Sequence, residues 1–327
     1  LGLVVWYGGM NTILDNTASI GQLTAFIMMT PMLFRPLNQI ANKFNTLLMG
    51  MVAAERVFKI LDTESSIQDL GSKSADNIKG KIRYENVNFS YKKGEQVIDD
   101  FDIEIKSGST NAIVGATGSG KSTIIKLLNR FYDLDDGFIY IDDIKIEDYS
   151  ISSLRRNIGF VSQDVHLFSD SILNNITLKN TNISFLRVKE AAKEIELDDF
   201  ISSLPDGYNY NVRERGVSLS TGQRQLISFL RAYIKNPQIL VLDEATSSID
   251  TDSELLIQKA IDKITKNRTS IIIAHRLSTI MKADNIIVMD KGKIVEVGKH
   301  DELLKNKKGF YNKLYEAQLK KEIIEFA

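Results

Sequence analysis

The stretch GATGSGKS, residues 115–122, has the residue types and spacing to hold a polyphosphate. Glycines at Gly115, Gly118 and Gly120 let backbone N–H groups turn inward around an anion, and a helix starting near Lys121 aims its positive dipole end at the same place. Lys121 adds a point charge for the β- and γ-phosphates, and Ser122 adds a hydroxyl for Mg2+. Ala116, Thr117, Ser119 and the following Thr123 complete the stretch assigned to the nucleotide. A Gly/Ser-rich surface turn is the plain alternative. The flanks favour the phosphate loop: a strand-like run precedes it (Thr110, Ala112, Ile113, Val114), and helix-period residues follow it (Ile124, Leu127, Leu128, Phe131).

A second set of reactive groups is Asp243 and Glu244 in ILVLDEATSSID. The run from Ile239 to Leu242 has no polar alternation, so it reads as a strand buried on both faces, and the C-terminal end of such a strand is where ligands bind in open α/β sheets. Asp243 is expected to hold Mg2+ opposite Ser122, usually through water, and Glu244 to accept a proton from a water lined up with the γ-phosphate. Alone, two acids after a strand are a turn and a helix cap. In a chain with a complete phosphate loop they are a metal ligand and a base.

Around these groups the pattern is that of an α/β domain. Strand alternation runs through Ile82, Tyr84, Val87, Phe89 and Tyr91, and continues through Val97, Ile98, Phe101, Ile103 and Ile105 to the loop. A short strand covers residues 139–141, and residues 270–274 (SIIIA) read as another strand buried on both faces. Helices are expected from about Ser184, with Phe185, Val188, Ala191, Ala192 and Ile195 on one face, and over residues 221–234. The segment IIVMDKGKIVEVG reads as a hairpin turning at Lys291 and Gly292.

A length of 327 residues allows about two domains, and 43% hydrophobic with 25% charged residues is ordinary globular composition. The formal net charge of −1 gives no support to a polyanion-binding role, and no nucleic acid is expected as a partner. Cysteine is absent, so disulfide and thiol chemistry are excluded.

The chain opens on Leu1 inside an apolar segment and reads as cut from something longer, with no signal peptide visible. A second apolar segment, residues 23–48, is long enough to span hydrocarbon at 1.5 Å per residue, although Arg35, Asn38 and Lys43 interrupt it. A buried helix of a soluble domain is the alternative. The helical period continues to about Leu61, and residues 62–81 shift to Ser, Asp, Gly and Lys and read as a linker. The expected organisation is residues 1–61 as the end of a membrane domain, 62–81 as linker, and 82–327 as nucleotide-binding domain.

The segment LSTGQ, residues 219–223, upstream of ILVLDEATSSID, resembles the signature of the ATP-binding-cassette (ABC) ATPases, which usually reads LSGGQ. The resemblance implies a phosphate-loop ATPase cassette with an antiparallel β subdomain, a parallel core sheet and a helical subdomain, preceded by transmembrane helix segments. It further implies ATP and Mg2+ as ligands and a second half-transporter, identical or not, as partner. Ser220, Thr221, Gly222 and Gln223 would face the γ-phosphate held by the opposing cassette, with Ser220 capping a helix whose amides and dipole attract the anion. Tyr91 resembles the aromatic that stacks on adenine, Gln163 in FVSQDVHLF the glutamine that approaches Mg2+ and the attacking water, Asp250 the interface aspartate, and His275 in IIIAHR the histidine that contacts the γ-phosphate.

ERGVSLSTGQ and residues 21–62 resemble exporters, so an integral membrane protein with its cassette in the cytoplasm is implied, exporting a hydrophobic or amphipathic substrate such as a lipid, drug or peptide. The substrate itself is not readable. One departure stands out: Thr221 replaces the second signature glycine and adds a side chain where the partner's phosphate approaches. The rival reading is a soluble ABC-type ATPase acting on nucleic acid or ribosomes; it has no use for residues 23–48, and neither tandem cassettes nor a long coiled-coil insert is visible.

Overall fold

The computed structural model describes residues 2–13, 19–64, 67–243, 251–274 and 276–325. They form two compact units, Leu1–Ser66 and Ile67–Ala327.

The first unit holds α1 (Gly2–Ile13) and α2 (Ile20–Leu61). Ser19 starts α2 with a reciprocal cap: its hydroxyl accepts from the Gln22 N–H at 3.2 Å, and the Gln22 side chain accepts from the Ser19 N–H at 2.9 Å. Residues 23–48 lie wholly within this one helix, which runs through Pro31 and Pro36. Yet no helix among the described residues is long and apolar enough to cross a membrane. The length expected from sequence is present; the apolarity falls short, because Arg35, Asn38, Gln39, Asn42 and Lys43 punctuate the run.

In the second unit the strands are β1 (Ile82–Ser90), β2 (Gln96–Ile105), β3 (Thr110–Gly115), β4 (Asp136–Ile141), β5 (Ile144–Lys145), β6 (Ile158–Val161), β7 (Ile239–Asp243), β8 (Thr269–Ile273), β9 (Asn285–Asp290) and β10 (Lys293–Gly298). The helices are α3 (Lys121–Leu128), α4 (Ile151–Asn157), α5 (Ile172–Thr177), α6 (Phe185–Glu194), α7 (Asp198–Ser203), α8 (Thr221–Ile234), α9 (Thr251–Ile264), α10 (Leu277–Met281), α11 (His300–Leu304) and α12 (Phe310–Glu325). One sheet is antiparallel in the order β2-β1-β4-β5; the other runs β10-β9-β3-β8-β7-β6, parallel except for β10.

The all-apolar runs lie at the centre of the second sheet. Ile239 to Leu242 and Ile271 to Ile273 are at most 1% exposed, because helices cover one face and the antiparallel sheet with α3 covers the other. Each such side chain contributes about 1.5–3 kcal/mol over its exposed state. The three-residue step from Tyr84 to Val87 in β1 is a register shift at Asn86, whose φ is 47°. The β9–β10 hairpin turns at Lys291 and Gly292, both with positive φ, as a two-residue connection requires. Two expectations shift. α3 stops at Leu128, so Phe131 lies beyond it, and Phe185 on α6 is half exposed, its ring edge-on to Tyr208 at 5.3 Å.

Most of the stretch read as a linker is built into the second unit. Ala75 and Ile78 are core residues, the Ala75 N–H donates to Ser153 Oγ at 2.6 Å, and the Ile151 N–H donates to Asp69 Oδ1 at 2.9 Å.

Candidate functional site

Four parallel strands, β3, β6, β7 and β8, end along one edge of the large sheet. Register puts Ile113 of β3 beside Ile273 of β8, Ile273 beside Asp243 of β7, and Leu242 beside Val161 of β6. Every strand of this set therefore releases its chain at the same level, and the phosphate loop, Gln163 and Asp243 all leave from that edge.

The loop is shaped by close backbone approach. A β-carbon placed on Gly115 would lie 2.2 Å from the Met289 carbonyl oxygen of β9. Gly120, with φ 99°, caps α3 in a left-handed conformation, and a β-carbon there would lie 2.7 Å from Ile98 Cδ1. Gly115→Ala is expected to lower unfolding stability by about 2 kcal/mol, read in a denaturant melt, because rigid backbone rather than a movable side chain opposes the methyl. A wild-type midpoint in this variant would show that the approach is looser than described.

Lys121 is 7% exposed. Its ammonium donates to the Gly115 and Ala116 carbonyl oxygens, both at 2.8 Å, so it is folded back across the loop it serves. Burial pushes the ammonium below the ordinary lysine range, and the Asp243 carboxylate pulls it partly back. Ser122 Oγ donates to Asp243 Oδ2 at 3.4 Å, joining β7 to the start of α3. Two hard oxygen donors facing one another beside a buried cation suit Mg2+ and a phosphate. Ser119 Oγ, buried in the same loop without a hydrogen-bond partner among the described residues, is a further polar atom for a ligand to satisfy. Ala116, Thr117 and Gly118 are exposed along the loop, and Thr123 is buried at the first turn of α3.

Gln163 is exposed just past β6, on the strand neighbouring the one that ends in Asp243. Tyr91, directly after β1, is 44% exposed, and its hydroxyl lies 3.2 Å from Thr123 Oγ1, so the aromatic is tied to the phosphate-loop helix. Glu244, Asp250 and His275 lie outside the described residues. In the chain they directly follow β7, close the segment before α9, and come two residues after β8, respectively.

The signature is a capped helix start. Ser220 Oγ accepts from the Gln223 N–H at 3.2 Å, and the Gln223 side chain accepts from the Ser220 N–H at 3.0 Å. Thr221 is exposed, and its hydroxyl accepts from the Arg224 guanidinium at 3.1 Å. Arg224 also donates to the Leu219 and Gly216 carbonyls, at 3.0 and 3.4 Å. The guanidinium thus braces the turn before the signature, where Arg213, Arg215 and Gly216 all have positive φ. Sequence reasoning did not single out Arg224. Three acceptors around one fork are a spatial fact, with no periodic signal to announce it.

The ABC transporter family profile matches residues 98–247. The chain is 44% identical over 317 residues to an uncharacterized ABC transporter ATP-binding protein, YknV, of Bacillus subtilis (strain 168), covering 97% of this chain and 52% of that protein. It is 44% identical over 321 residues to an ATP-dependent lipid A-core flippase of Pseudoalteromonas translucida (strain TAC 125), covering 97% and 55%. Among solved structures, a bacterial Atm1-family ABC exporter with ATP bound is similar at TM-score 0.76 and 36% identity, over 97% of this chain and 55% of that one. The chain spans about half the length of these relatives.

Proposed function

The chain belongs to the ABC transporter family and carries its ATPase domain, and from that premise we propose that it works as half of an exporter. Two cassettes, identical or not, close head to tail on ATP, and hydrolysis drives a hydrophobic or amphipathic substrate across a membrane. The observation that carries the nucleotide reading is the meeting of Lys121, Ser122 and Asp243 at one sheet edge. Export and substrate class are supported by the relatives' names, which include lipid A-core flippases and a putative multidrug export ATP-binding/permease protein.

In this reading Tyr91 stacks on the base, and the amides of residues 115–123 surround the phosphates. Lys121 leaves the loop's own carbonyls for phosphate oxygens of higher charge. Ser122 and Asp243, with Gln163 nearby, would hold Mg2+. When bound, that ion neutralises charge across the β- and γ-phosphate oxygens. Glu244 takes a proton from the attacking water, and His275 contacts the γ-phosphate and keeps Glu244 and the water aligned. Ser220, Thr221, Gly222 and Gln223 of the opposing cassette close the site from the far side, and Asp250 lies at the seam between the two.

Ser220→Ala separates the composite site from the single-chain site. Loss of the cap should cost about 1 kcal/mol of stability, read by thermal melting. MgATP affinity of the lone chain should hold, while ATPase activity at dimer-forming concentrations falls. Loss of MgATP binding by the monomer would contradict the assignment of Ser220 to the opposing site.

Membrane residence of residues 1–61, with the cassette of residues 82–327 in the cytoplasm, is part of the proposal. It is supported by the exposed Phe26, Met29, Met32, Leu33, Leu37 and Ile40 of α2, apolar surface that a lipid or helical neighbour would cover. Cell fractionation tests it: the protein should pellet with membranes and need detergent for release. Recovery in the detergent-free soluble fraction would remove the export reading and leave the ATPase.

A further inference from the structure

Tyr91 does not stand alone. Its ring is perpendicular to that of Tyr132, with centroids 5.1 Å apart and an interplanar angle of 87°. Phe89 meets Tyr91 edge-on at 4.9 Å and 85°, and lies 5.6 Å from Tyr132. Phe89 is buried at 3% exposure, whereas Tyr91 and Tyr132 are 44% and 42% exposed. Two aromatic rings at right angles therefore open to solvent above a buried third. Lys126 of α3 adds a cation 5.7 Å from the centre of the Tyr91 ring.

The turn that carries Tyr132 is tied by several hydrogen bonds. It follows α3 by way of Arg130, whose φ is 51° and which is 5% exposed. The Phe131 N–H donates to the Lys126 carbonyl at 3.0 Å, and the Arg130 N–H to the Leu127 carbonyl at 2.9 Å. Arg155 donates to the Asn129 and Arg130 carbonyls at 3.1 and 2.6 Å, and the Arg130 guanidinium reaches the Gln68 carbonyl at 3.1 Å. The helix that begins at the phosphate site thus ends in a braced turn carrying Tyr132, and its Thr123 holds the Tyr91 hydroxyl. One helix sets the distance between phosphate groups and aromatic wall.

We propose that Tyr132 is a positioning residue for the nucleobase: its ring holds Tyr91 perpendicular to itself, so that the Tyr91 face is presented to the base before ATP arrives. The inference rests on the proposed stacking of adenine on Tyr91. An exposed aromatic ring has rotamer freedom to lose on binding, and an edge-to-face neighbour removes part of that loss in advance. Polar groups that would read the edge of the base are not needed for this; the gain is in pre-organisation of the stacking face.

The test uses the full chain and measures Kd by titration calorimetry for MgATP and for magnesium tripolyphosphate, which lacks the base. Tyr132→Leu keeps apolar bulk and loses the ring; Tyr132→Phe keeps the ring. The expected result is about a fivefold weaker MgATP Kd in Tyr132→Leu, the size of one aromatic pair contact converted to affinity. Tyr132→Phe should match the wild type, and tripolyphosphate should bind equally to all three. Unchanged MgATP affinity in Tyr132→Leu overturns the proposal, and so does an equal loss for both ligands, which would mean a disturbed phosphate loop. Tyr91→Ala, run alongside, separates the two readings. If it weakens MgATP and Tyr132→Leu does not, only the positioning role fails; if Tyr91→Ala has no effect, base stacking fails with it.

Discussion

Glu244→Gln should cut turnover sharply while MgATP still binds. The two side chains have nearly the same size, so the change removes one property, the ability to take a proton from water. A positioned general base contributes about 10²–10⁴-fold to rate, and the ATPase rate should fall by that order. Affinity should hold because the groups proposed to grip the phosphates and Mg2+ are others: Lys121 folded over the loop, and Ser122 facing Asp243 at 3.4 Å. A dimer that closes on ATP and cannot cleave it should accumulate, visible by size-exclusion chromatography in MgATP. The contrast is Asp243→Asn, which should weaken Mg2+-dependent binding as well as rate. Steady ATPase activity in Glu244→Gln at dimer-forming concentrations would remove Glu244 from the role of base.

Much of this site was readable because its parts are local. The phosphate loop is a continuous stretch between a strand and a helix, and the run ILVLD carries its own burial signal in the lack of alternation; the strands and the helix form as read, and Ser122 Oγ donates to Asp243 Oδ2 at 3.4 Å. Ser220 was legible as a cap for the same reason, since cap and recipient N–H are three residues apart. What resisted reading depends on contacts distant in sequence or on the fold around a residue. Arg224 braces a turn because three carbonyl and hydroxyl oxygens converge on it, and Phe185 keeps a helix-face spacing yet packs edge-on against Tyr208 at the surface. Residues 69–78 have linker composition and still join the cassette, held by backbone bonds to Ser153 and Asp148 that composition does not report.

The signature departure at Thr221 also changes meaning once placed. Read in sequence, a β-branched side chain intrudes where an opposing phosphate should meet bare backbone. In the fold the Thr221 hydroxyl is turned back to Arg224, on the same helix. The hydroxyl is thereby engaged within its own chain, and the amides at the start of α8 keep their capped geometry around Ser220. The substitution is therefore compatible with a helix terminus that still offers its dipole to an anion.

Lys121→Ala should have the widest effect, because it removes a buried cation that bonds the loop's own carbonyls. Its side chain is buried, and burial has pushed the ammonium below the ordinary lysine range, so part of the desolvation needed to meet a phosphate precedes the ligand. Exchange of two neutral carbonyl acceptors for phosphate oxygens of full charge then favours binding strongly. Hydrogen bonds to charged groups are worth about 1.5–3 kcal/mol each, so MgATP affinity should fall by roughly two orders of magnitude, and hydrolysis with it. Lys121→Arg should not rescue, since a planar guanidinium replaces a compact charge where two carbonyls close the space. Calorimetric titration with MgATP reads both variants, and a far-ultraviolet melt checks that the loop's neighbours remain folded. Wild-type affinity in folded Lys121→Ala would mean that the backbone amides and the dipole of α3 alone hold the phosphates, and the charge assigned to Lys121 would have to be given up.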